Sequence, residues 1–324
     1  MSRFESFLTP QFEDYMTYRH QLGYDTCSLR WVLKTVDRYL VAQNAGPGDL
    51  TSAFFLTLRG NLHTQYKSIN RVLSTTRMFF QYLLRKEYCQ DNPLKDIPLL
   101  PEEYFIPFIF APTQIDALLD AVCRRLRQHD KHFVKDLGIY LAILLLARCG
   151  MRIYEPLRLK QHHFRTDDNT LYIEKTKFKK DRLIPIPRAV AAEISNYLAV
   201  RRSLWGTDAN PYLLAASKQK AFYDELIRRR FHQAVSDIGL KYPRQTIGNT
   251  NIGAPTPHSL RHSFAANTLK RIKDQGKSPQ HALPVLAAYL GHIEYKHTAK
   301  YLKMLDADHR HNLVNFINTQ KQDP

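Results

Sequence analysis

Apolar residues recur at spacings of three and four positions along most of the chain, which is the repeat of an amphipathic helix. Two such helices are predicted before residues 45–48, where glycine and proline interrupt the pattern. Gly23 can end the first of them in a left-handed conformation. A third helix is predicted over residues 64–85. The apolar positions of these helices are Phe4, Phe7, Leu8, Phe12, Tyr15 and Met16, then Leu33, Val36, Tyr39 and Leu40, then Ile69, Leu73, Met78, Phe79, Tyr82 and Leu83.

A proline-rich stretch at residues 98–112 interrupts this helical pattern. Because proline fixes φ and lacks an N–H, it limits the extension of a helix or a sheet. A chain of 324 residues has room for two domains of ordinary size. We therefore predict a helical domain at 1–97, a linker at 98–111 and a second domain at 112–324. The linker is rich in aromatic residues, which indicates that part of it packs.

The second domain is predicted to be mainly helical, with one small β region. Two strands at residues 170–175 and 182–186 are expected to flank a basic turn. The predicted helices cover residues 112–128, residues 137–148 and most of the chain after Arg188, with loops near residues 205–211 and 244–257. The predicted fold class is therefore mainly α with a small β-hairpin or sheet.

The chain carries a formal net charge of +17 and has a pI of about 9.7. Such a charge favours a polyanionic partner, nucleic acid first and an anionic membrane surface second. The longest apolar stretch, residues 137–147, is too short to span a bilayer, and the N-terminus does not have the pattern of a secretory signal. Four scattered cysteines form no Cys-x-x-Cys pair, so neither a disulfide framework nor a zinc site is indicated. A reduced, cytoplasmic setting is expected.

Several ionisable residues lie at or near predicted turns and helix ends. Arg152 follows Gly150, which permits a tight loop. His258 and Arg261 are three residues apart after a proline pair, so they share one face of the first turn of a predicted helix. The remaining candidates are Lys177 in the basic turn, His292 after Leu290-Gly291, and Tyr301 nine residues later. Each has an ordinary structural explanation when taken alone, whereas their order and spacing together indicate a function.

The order Arg, Lys, His-x-x-Arg, His and Tyr resembles that of the tyrosine recombinases, the phage-integrase-like enzymes. The resemblance extends over nearly the whole chain, because the N-terminal part is also similar to the family's helical core-binding domain. The segments that carry it are Arg-Ile-Tyr-Glu-Pro-Leu-Arg-Leu from Arg152, Lys-Phe-Lys-Lys-Asp-Arg-Leu-Ile-Pro from Lys177, Thr-Pro-His-Ser-Leu-Arg-His-Ser-Phe-Ala from Thr256, and Leu-Gly-His from Leu290 with Thr298 and Tyr301. The interval between the last two segments is longer than is usual in the family, so residues 273–284 are predicted to be an insertion loop.

The resemblance implies that Tyr301 attacks a DNA phosphate and forms a 3′-phosphotyrosyl link, leaving a free 5′ hydroxyl. Arg152 and Arg261 would hold the negative charge on the phosphate, since guanidinium groups make planar, bidentate hydrogen bonds. His292 would add a hydrogen bond to the same phosphate. Because the arginines neutralise the phosphate and the sequence has no convincing set of spaced carboxylates, neither a metal ion nor any other cofactor is expected.

The same resemblance implies that His258 is the base for Tyr301 and that Lys177 is the acid that protonates the departing 5′ oxygen. Three other lysines of the same turn are alternatives to Lys177: Lys175, Lys179 and Lys180. Glu155 has two open interpretations. It either orients the active-site cations, as such a carboxylate does in the family, or makes an ordinary i,i+3 surface pair with Arg152 or Arg158.

By resemblance, a SAM-like helical core-binding domain and a catalytic domain form a clamp around double-stranded DNA that carries specific recombination sites. A homotetramer on two such sites is expected, with accessory DNA-bending proteins or partner recombinases as further candidate partners. The implied function is site-specific recombination in the integration, excision or resolution of a mobile element, in the cytoplasm and at the nucleoid. The alternatives are a type IB topoisomerase, which would relax plasmid lacking any specific site, a catalytically silent DNA-binding regulator, and a metal-dependent nuclease, which EDTA would inhibit.

Overall fold

A computed structural model describes residues 3–101, 104–174, 181–206, 209–247, 250–292 and 294–302. The chain forms two compact units, Met1–Tyr104 and Phe105–Pro324. Helices dominate the described residues, and the strands form two small sheets, so the predicted fold class is confirmed. No helix within these ranges is long and apolar enough to cross a membrane.

The first unit packs its helices around an aromatic core. The helices are α1 (Thr9–Gln21), α2 (Cys27–Ala42), α3 (Ser52–Asn61) and α4 (Tyr66–Arg85). The ring centroids of Phe12 on α1 and Phe79 on α4 are 4.7 Å apart. Phe4 and Leu8 are buried, but α1 begins after them because Pro10 occupies its first turn. No predicted helix corresponds to α3, which begins after the capping hydroxyl of Thr51.

The second unit is built around one long buried helix. Its helices are α5 (Pro112–Cys123), α6 (Asp130–Cys149), α7 (Tyr154–Arg158), α8 (Arg188–Trp205), α9 (Asp224–Asp237), α10 (Pro257–Asp274) and α11 (Pro279–Leu290). Most side chains of α6 from Val134 to Cys149 are buried, and α6 packs against both α8 and α10. The end of α6 therefore lies beside α10, on which two of the candidate residues lie.

Two three-stranded sheets lie in the second unit, and the first of them is antiparallel. The first has the order β2-β3-β4, formed by β2 (Phe164–Arg165), β3 (Thr170–Ile173) and β4 (Arg182–Pro185). Its β3–β4 pair lies where the sequence predicts two strands. The second sheet has the order β1-β6-β5, formed by β1 (Tyr104–Ile106), β5 (Gln245–Ile247) and β6 (Thr250–Ile252). A loop was expected at β5 and β6; the pairing of β6 with the distant β1 is a non-local contact that local spacing does not reveal.

Residues 105–110 are attached to α10 and to the segment before it. The Gly253 N–H donates to the Ile106 carbonyl at 2.8 Å. The Phe110 N–H donates to the Ser263 hydroxyl at 2.8 Å, and the Asn267 amide donates to the Phe110 carbonyl at 3.0 Å. Phe110 is fully buried. This part of the proline-rich stretch therefore packs against the second unit.

The prediction of an insertion loop at residues 273–284 is wrong. Helix α10 continues to Asp274 and α11 begins at Pro279, so only residues 275–278 connect the two helices. Gly276 has a φ of +75°, which suits the tight turn between them. Pro279 occupies the first turn of α11, where its missing N–H costs no hydrogen bond. The prolines and the glycine thus mark helix ends rather than a long loop.

Candidate active site

Gly150 creates the turn that presents Arg152. It ends α6 with φ +58° and ψ +27°, a left-handed conformation that favours glycine. A Cβ atom at this position would lie 2.5 Å from the ring of Phe264 on α10, so the close approach of α6 and α10 also requires glycine. Arg152 lies two residues beyond this turn and just before α7. The glycine that ends α6 therefore positions the first candidate arginine.

The two candidate arginines bind consecutive backbone carbonyls at the end of α11. Arg261 on α10 is fully buried and donates to the carbonyls of Gly150, at 2.7 Å, and Leu290. Arg152 donates from Nη2 to the Gly291 carbonyl at 3.0 Å. Burial, and then the charge of Arg152, lower the pKa of Arg261 to about 9, so Arg261 stays charged at neutral pH. The guanidinium of Arg261 thus joins α10 to the ends of α6 and α11, and that of Arg152 joins the turn after α6 to the end of α11.

The buried carboxylate of Glu155 links Arg152 to Arg182, an arginine on strand β4. Glu155 accepts hydrogen bonds from the backbone N–H of Arg152 at 2.8 Å and from Arg152 Nη1 at 2.9 Å. It also accepts two parallel bonds from Arg182 of β4, at 3.0 and 2.9 Å. Burial alone would raise the pKa of Glu155, but the hydrogen bonds and charge of Arg182 outweigh it and hold the pKa below its ordinary value. The contact of Glu155 with Arg152 is therefore part of a buried network, not a surface pair.

His292 lies directly after the glycine that ends α11. Gly291 has φ +64° and ψ +47°, and the backbone N–H of His292 donates to the Ala287 carbonyl at 3.0 Å. Its Nδ1 lies 2.8 Å from the hydroxyl of the fully buried Thr298. Burial, followed by the charges of Arg261 and Arg152, lowers the pKa of His292 to about 3. The imidazole is therefore neutral at physiological pH, and the structure places it within electrostatic reach of both arginines.

Tyr301 lies in the helical segment 296–302 and is buried, with 3% of its surface exposed. It packs in a small apolar cluster with Ala265 and Leu269 of α10 and Leu290 of α11. Its hydroxyl lies 2.8 Å from Nδ1 of His262. Burial raises the pKa of Tyr301 to about 12, against the opposing charges of Arg261 and Arg152. The charges of Arg152 and Arg261 therefore act on both His292 and Tyr301.

Of the other two predicted catalytic residues, one, His258, lies within the described part of the chain, and its charge also lowers the pKa of His292. His258 is on the first turn of α10, is exposed, and stands edge-on to the ring of His262, with centroids 4.6 Å apart. Lys177 lies outside the described residues, as do its alternatives Lys175, Lys179 and Lys180. The assignment of the acid therefore stays a prediction. Within the described part of the chain, no group of three or more His, Cys, Asp or Glu side chains could hold a metal ion.

Comparison with known proteins identifies the family. Residues 109–308, more than half of the chain, match the phage integrase family model. The chain belongs to this family. It is a tyrosine recombinase, an enzyme of site-specific DNA recombination, as the resemblance of its four segments implied.

Individual relatives are similar over most of the recombinase. A Sinorhizobium fredii protein that bears the name integrase/recombinase y4rE is 30% identical over 306 residues, which cover 93% of each chain. Among solved structures, a lambda integrase tetramer bound to a Holliday junction superposes with a TM-score of 0.63 at 15% identity, covering 90% of this chain and 79% of that one. The Tn1549 transposon integrase in complex with a circular intermediate DNA gives 0.65 at 16% identity, covering 90% and 94%. At these identities the two structures establish the fold alone.

Sequence reasoning missed two residues that the structure places among the candidate residues of the recombinase. Arg182 was predicted only as the start of a strand, because its contact with Glu155 spans 27 residues and leaves no local pattern. His262 was passed over in favour of His258. Its signal was present, however, since residues 258, 261 and 262 share one helix face at the spacings i, i+3 and i+4.

Acid is expected to destabilise the second unit of the recombinase through two partly buried histidines, His262 and His292. Burial, and then neighbouring cations, lower the pKa of His262 and of His292 to about 3, against about 6.5 for an unfolded histidine. Between these values the unfolded chain binds more protons than the folded one, so stability is full above about pH 6.5 and falls as the pH drops towards 3. At pH 5 each histidine is expected to cost about 2 kcal/mol of unfolding free energy relative to pH 7.

Denaturant unfolding of the wild type and of His292→Asn at pH 7 and pH 5 measures this effect. Asparagine does not titrate but keeps a polar group near Thr298, and the carboxylates common to both proteins cancel in the comparison. The variant should be less stable than the wild type at pH 7, and the difference should shrink by about 2 kcal/mol at pH 5. A difference that does not change with pH would contradict the assignment of a depressed pKa to His292.

Proposed function

We propose that this recombinase cuts and rejoins double-stranded DNA through a 3′-phosphotyrosyl intermediate on Tyr301. One observation carries the proposal: Arg152 and Arg261 bind the carbonyls at the end of α11, and their charges both act on the hydroxyl of Tyr301. A phenol needs neighbouring cations to become a nucleophile at neutral pH. An arrangement that brings two guanidinium groups to one tyrosine meets this need.

The two arginines hold the phosphate under attack. Negative charge builds up on the non-bridging oxygens as Tyr301 bonds to phosphorus, and preorganised guanidinium donors stabilise that charge. Arg152 retains 21% exposure of its side chain, so a phosphate can approach it from solvent. Glu155 and the carbonyl contacts fix the orientation of both guanidinium groups before the phosphate arrives.

Proton transfer and phosphate binding involve the remaining residues. His292 donates a hydrogen bond to the phosphate from Nε2 while Nδ1 contacts Thr298. Lys177, or one of its neighbouring lysines, protonates the departing 5′ oxygen. The sequence assigns the base to His258, whose place on α10 is one turn from His262. Because the phosphotyrosyl bond conserves the energy of the broken bond, a 5′ hydroxyl of a second strand can reverse the step without ATP or a metal ion.

DNA binding is proposed to involve both units. In this proposal residues 1–97 form a core-binding domain, residues 98–111 form the linker and residues 112–324 form the catalytic domain. The net charge of +17 supports extended contact with phosphates. The lambda integrase structure is a tetramer on a Holliday junction, which supports a homotetramer on two specific sites for this chain. The fold that it shares with a transposon integrase supports a role in the integration, excision or resolution of a mobile element.

Covalent capture tests the proposed function. The full-length protein is incubated in EDTA with a pool of nicked duplexes whose central base pairs are randomised, and adducts that resist SDS are isolated and sequenced. Mass spectrometry of the linked peptide should find the nucleotide on Tyr301, joined through a 3′ phosphate. Tyr295→Phe, which alters an exposed tyrosine of the same stretch, should still form the adduct, whereas Tyr301→Phe should not. The absence of any wild-type adduct, or an adduct that persists in Tyr301→Phe, would refute the proposal.

A further inference from the structure

The side chain of His262 makes hydrogen-bond contact with the hydroxyl of Tyr301. Its Nδ1 lies 2.8 Å from the tyrosine oxygen, and the ring centroids are 5.7 Å apart. His262 is next in sequence to Arg261 on α10, so the helix that carries the phosphate-binding arginine also carries this imidazole. A candidate general base must lie within hydrogen-bond reach of the proton that it removes, and His262 satisfies this geometric requirement.

The direction of this hydrogen bond follows from the protonation of the two groups. Burial raises the pKa of Tyr301 to about 12, so the tyrosine keeps its proton at neutral pH. Burial also lowers the pKa of His262 to about 3, and four cationic or ionisable neighbours act in the same direction: His258, Arg261, His292 and Lys300. A neutral histidine has one ring nitrogen that accepts. The Tyr301 hydroxyl therefore donates to Nδ1, and the proton of His262 resides on Nε2.

We propose that His262, rather than His258, takes the proton of Tyr301 when the tyrosine attacks a DNA phosphate, an inference that rests on the proposed function. The Oη–P bond forms while the P–O5′ bond breaks. The Oη proton passes to Nδ1 of His262, which becomes an imidazolium, and the departing 5′ oxygen receives a proton from the lysine general acid or from water. In the rejoining step, Nδ1 returns its proton to the tyrosine oxygen.

A weakly basic imidazole suits this step. Before attack, transfer from Tyr301 to His262 is strongly unfavourable, so the free enzyme keeps a neutral, unreactive tyrosine. As the oxygen bonds to phosphorus it loses electron density, and its proton becomes far more acidic. The incoming phosphate also places negative charge beside the cations that depress the basicity of His262, which favours the imidazolium form. Proton transfer is therefore coupled to attack on a correctly bound phosphate.

The matched variants His262→Asn and His258→Asn separate the two candidate bases. Asparagine keeps an acceptor oxygen near the position of Nδ1, so it can still orient Tyr301, but it does not take up a proton. On the duplex recovered from the randomised pool, His262→Asn is expected to form the covalent complex about 10²–10⁴-fold more slowly than the wild type. His258→Asn is expected to lose less than about tenfold, because it leaves the 2.8 Å contact intact.

Chemical rescue distinguishes a proton acceptor from a structural side chain. His262→Ala leaves a space for a small base, so added imidazole should restore the rate of covalent-complex formation, with a dependence on pH that follows the free imidazole base. Added imidazole should leave His258→Ala unchanged. The proposal is overturned if His262→Asn reacts within about threefold of the wild type, if His262→Ala reacts faster than the wild type, or if imidazole fails to rescue a folded His262→Ala protein.

A measurement without DNA separates this inference from the proposed function. Nitrogen-15 NMR of the histidine rings should show His262 as a neutral imidazole with an accepting Nδ1, and Tyr301→Phe should shift that nitrogen while Tyr295→Phe should not. A Nδ1 signal that Tyr301→Phe leaves unchanged overturns the inference even where the wild type forms its Tyr301 adduct. A wild type that forms no Tyr301 adduct, with the NMR contact present, overturns the proposed function and removes the step that His262 would serve.

Discussion

Replacing Glu155 with glutamine is expected to lower the unfolding free energy of the second unit by about 3–5 kcal/mol. The side chains of Glu155 and Arg182 are only 7% and 10% exposed, and the carboxylate receives two N–H bonds from Arg182 and two from Arg152, one of them from its backbone. Glutamine removes the charge, so the guanidinium of Arg182 remains buried without a compensating anion. Denaturant unfolding followed by tryptophan fluorescence and circular dichroism measures the loss.

The chain offers a matched control for this substitution. Asp237 and Arg125 form a similar two-bond pair in the same unit, but their side chains are 34% and 38% exposed. Asp237→Asn is expected to cost at most about 1 kcal/mol, because water replaces the lost interaction. Similar losses in Asp237→Asn and Glu155→Gln would show that burial does not determine the effect, contrary to the prediction.

The main features of the second unit could be predicted because they depend on local signals. Gly150 and Gly291 both adopt a positive φ at helix ends; the candidate Arg152 lies two residues after the first, and His292 directly follows the second. A helix end marked by glycine is a property of a few neighbouring residues. The hydrophobic spacing of α4 likewise indicates which side of that helix is buried, and the continuous apolar run of α6 indicates a helix buried on most sides. Signals of this kind need no knowledge of what lies across the interface.

The contacts that complete the site could not be predicted in this way. Arg182 reaches Glu155 across 27 residues, and Arg261 reaches the carbonyls of Gly150 and Leu290 across 111 and 29 residues. Such pairs exist only after α6, α10, α11 and β4 have packed together. The sheet that joins β1 to β6 was missed for the same reason, because its strands are separated by most of the second unit.

The choice between His258 and His262 likewise depends on a contact between distant residues rather than on local spacing. Both histidines lie on one face of α10, so spacing alone makes them equal candidates. What separates them is the segment 296–302, which places Tyr301 against His262 and leaves His258 exposed. The family resemblance implied His258 of the His-x-x-Arg motif as the base, whereas the contact with Tyr301 is made by His262, the residue that follows the motif.

Replacing Arg261 with lysine is expected to slow covalent-complex formation by about 10²–10³-fold. Arg261 binds the carbonyls of Gly150 and Leu290 with two different nitrogens, and the proposed mechanism adds a phosphate to these partners. Lysine has a single nitrogen, so it cannot make this set of planar contacts. Burial also lowers the pKa of Arg261 to about 9. The same burial would lower the pKa of a lysine at this position from its ordinary value of about 10.4 towards 7.

The single-turnover rate of adduct formation on the duplex recovered from the randomised pool measures this effect. The residual rate of Arg261→Lys should fall further as the pH rises above about 7, because the buried lysine loses its charge, whereas the wild-type rate should not fall over the same range. Arg271→Lys, at an exposed position in the last turn of the same helix, should match the wild type. A folded Arg261→Lys protein that reacts within about threefold of the wild type would show that Arg261 only joins α6, α10 and α11 and does not hold the phosphate.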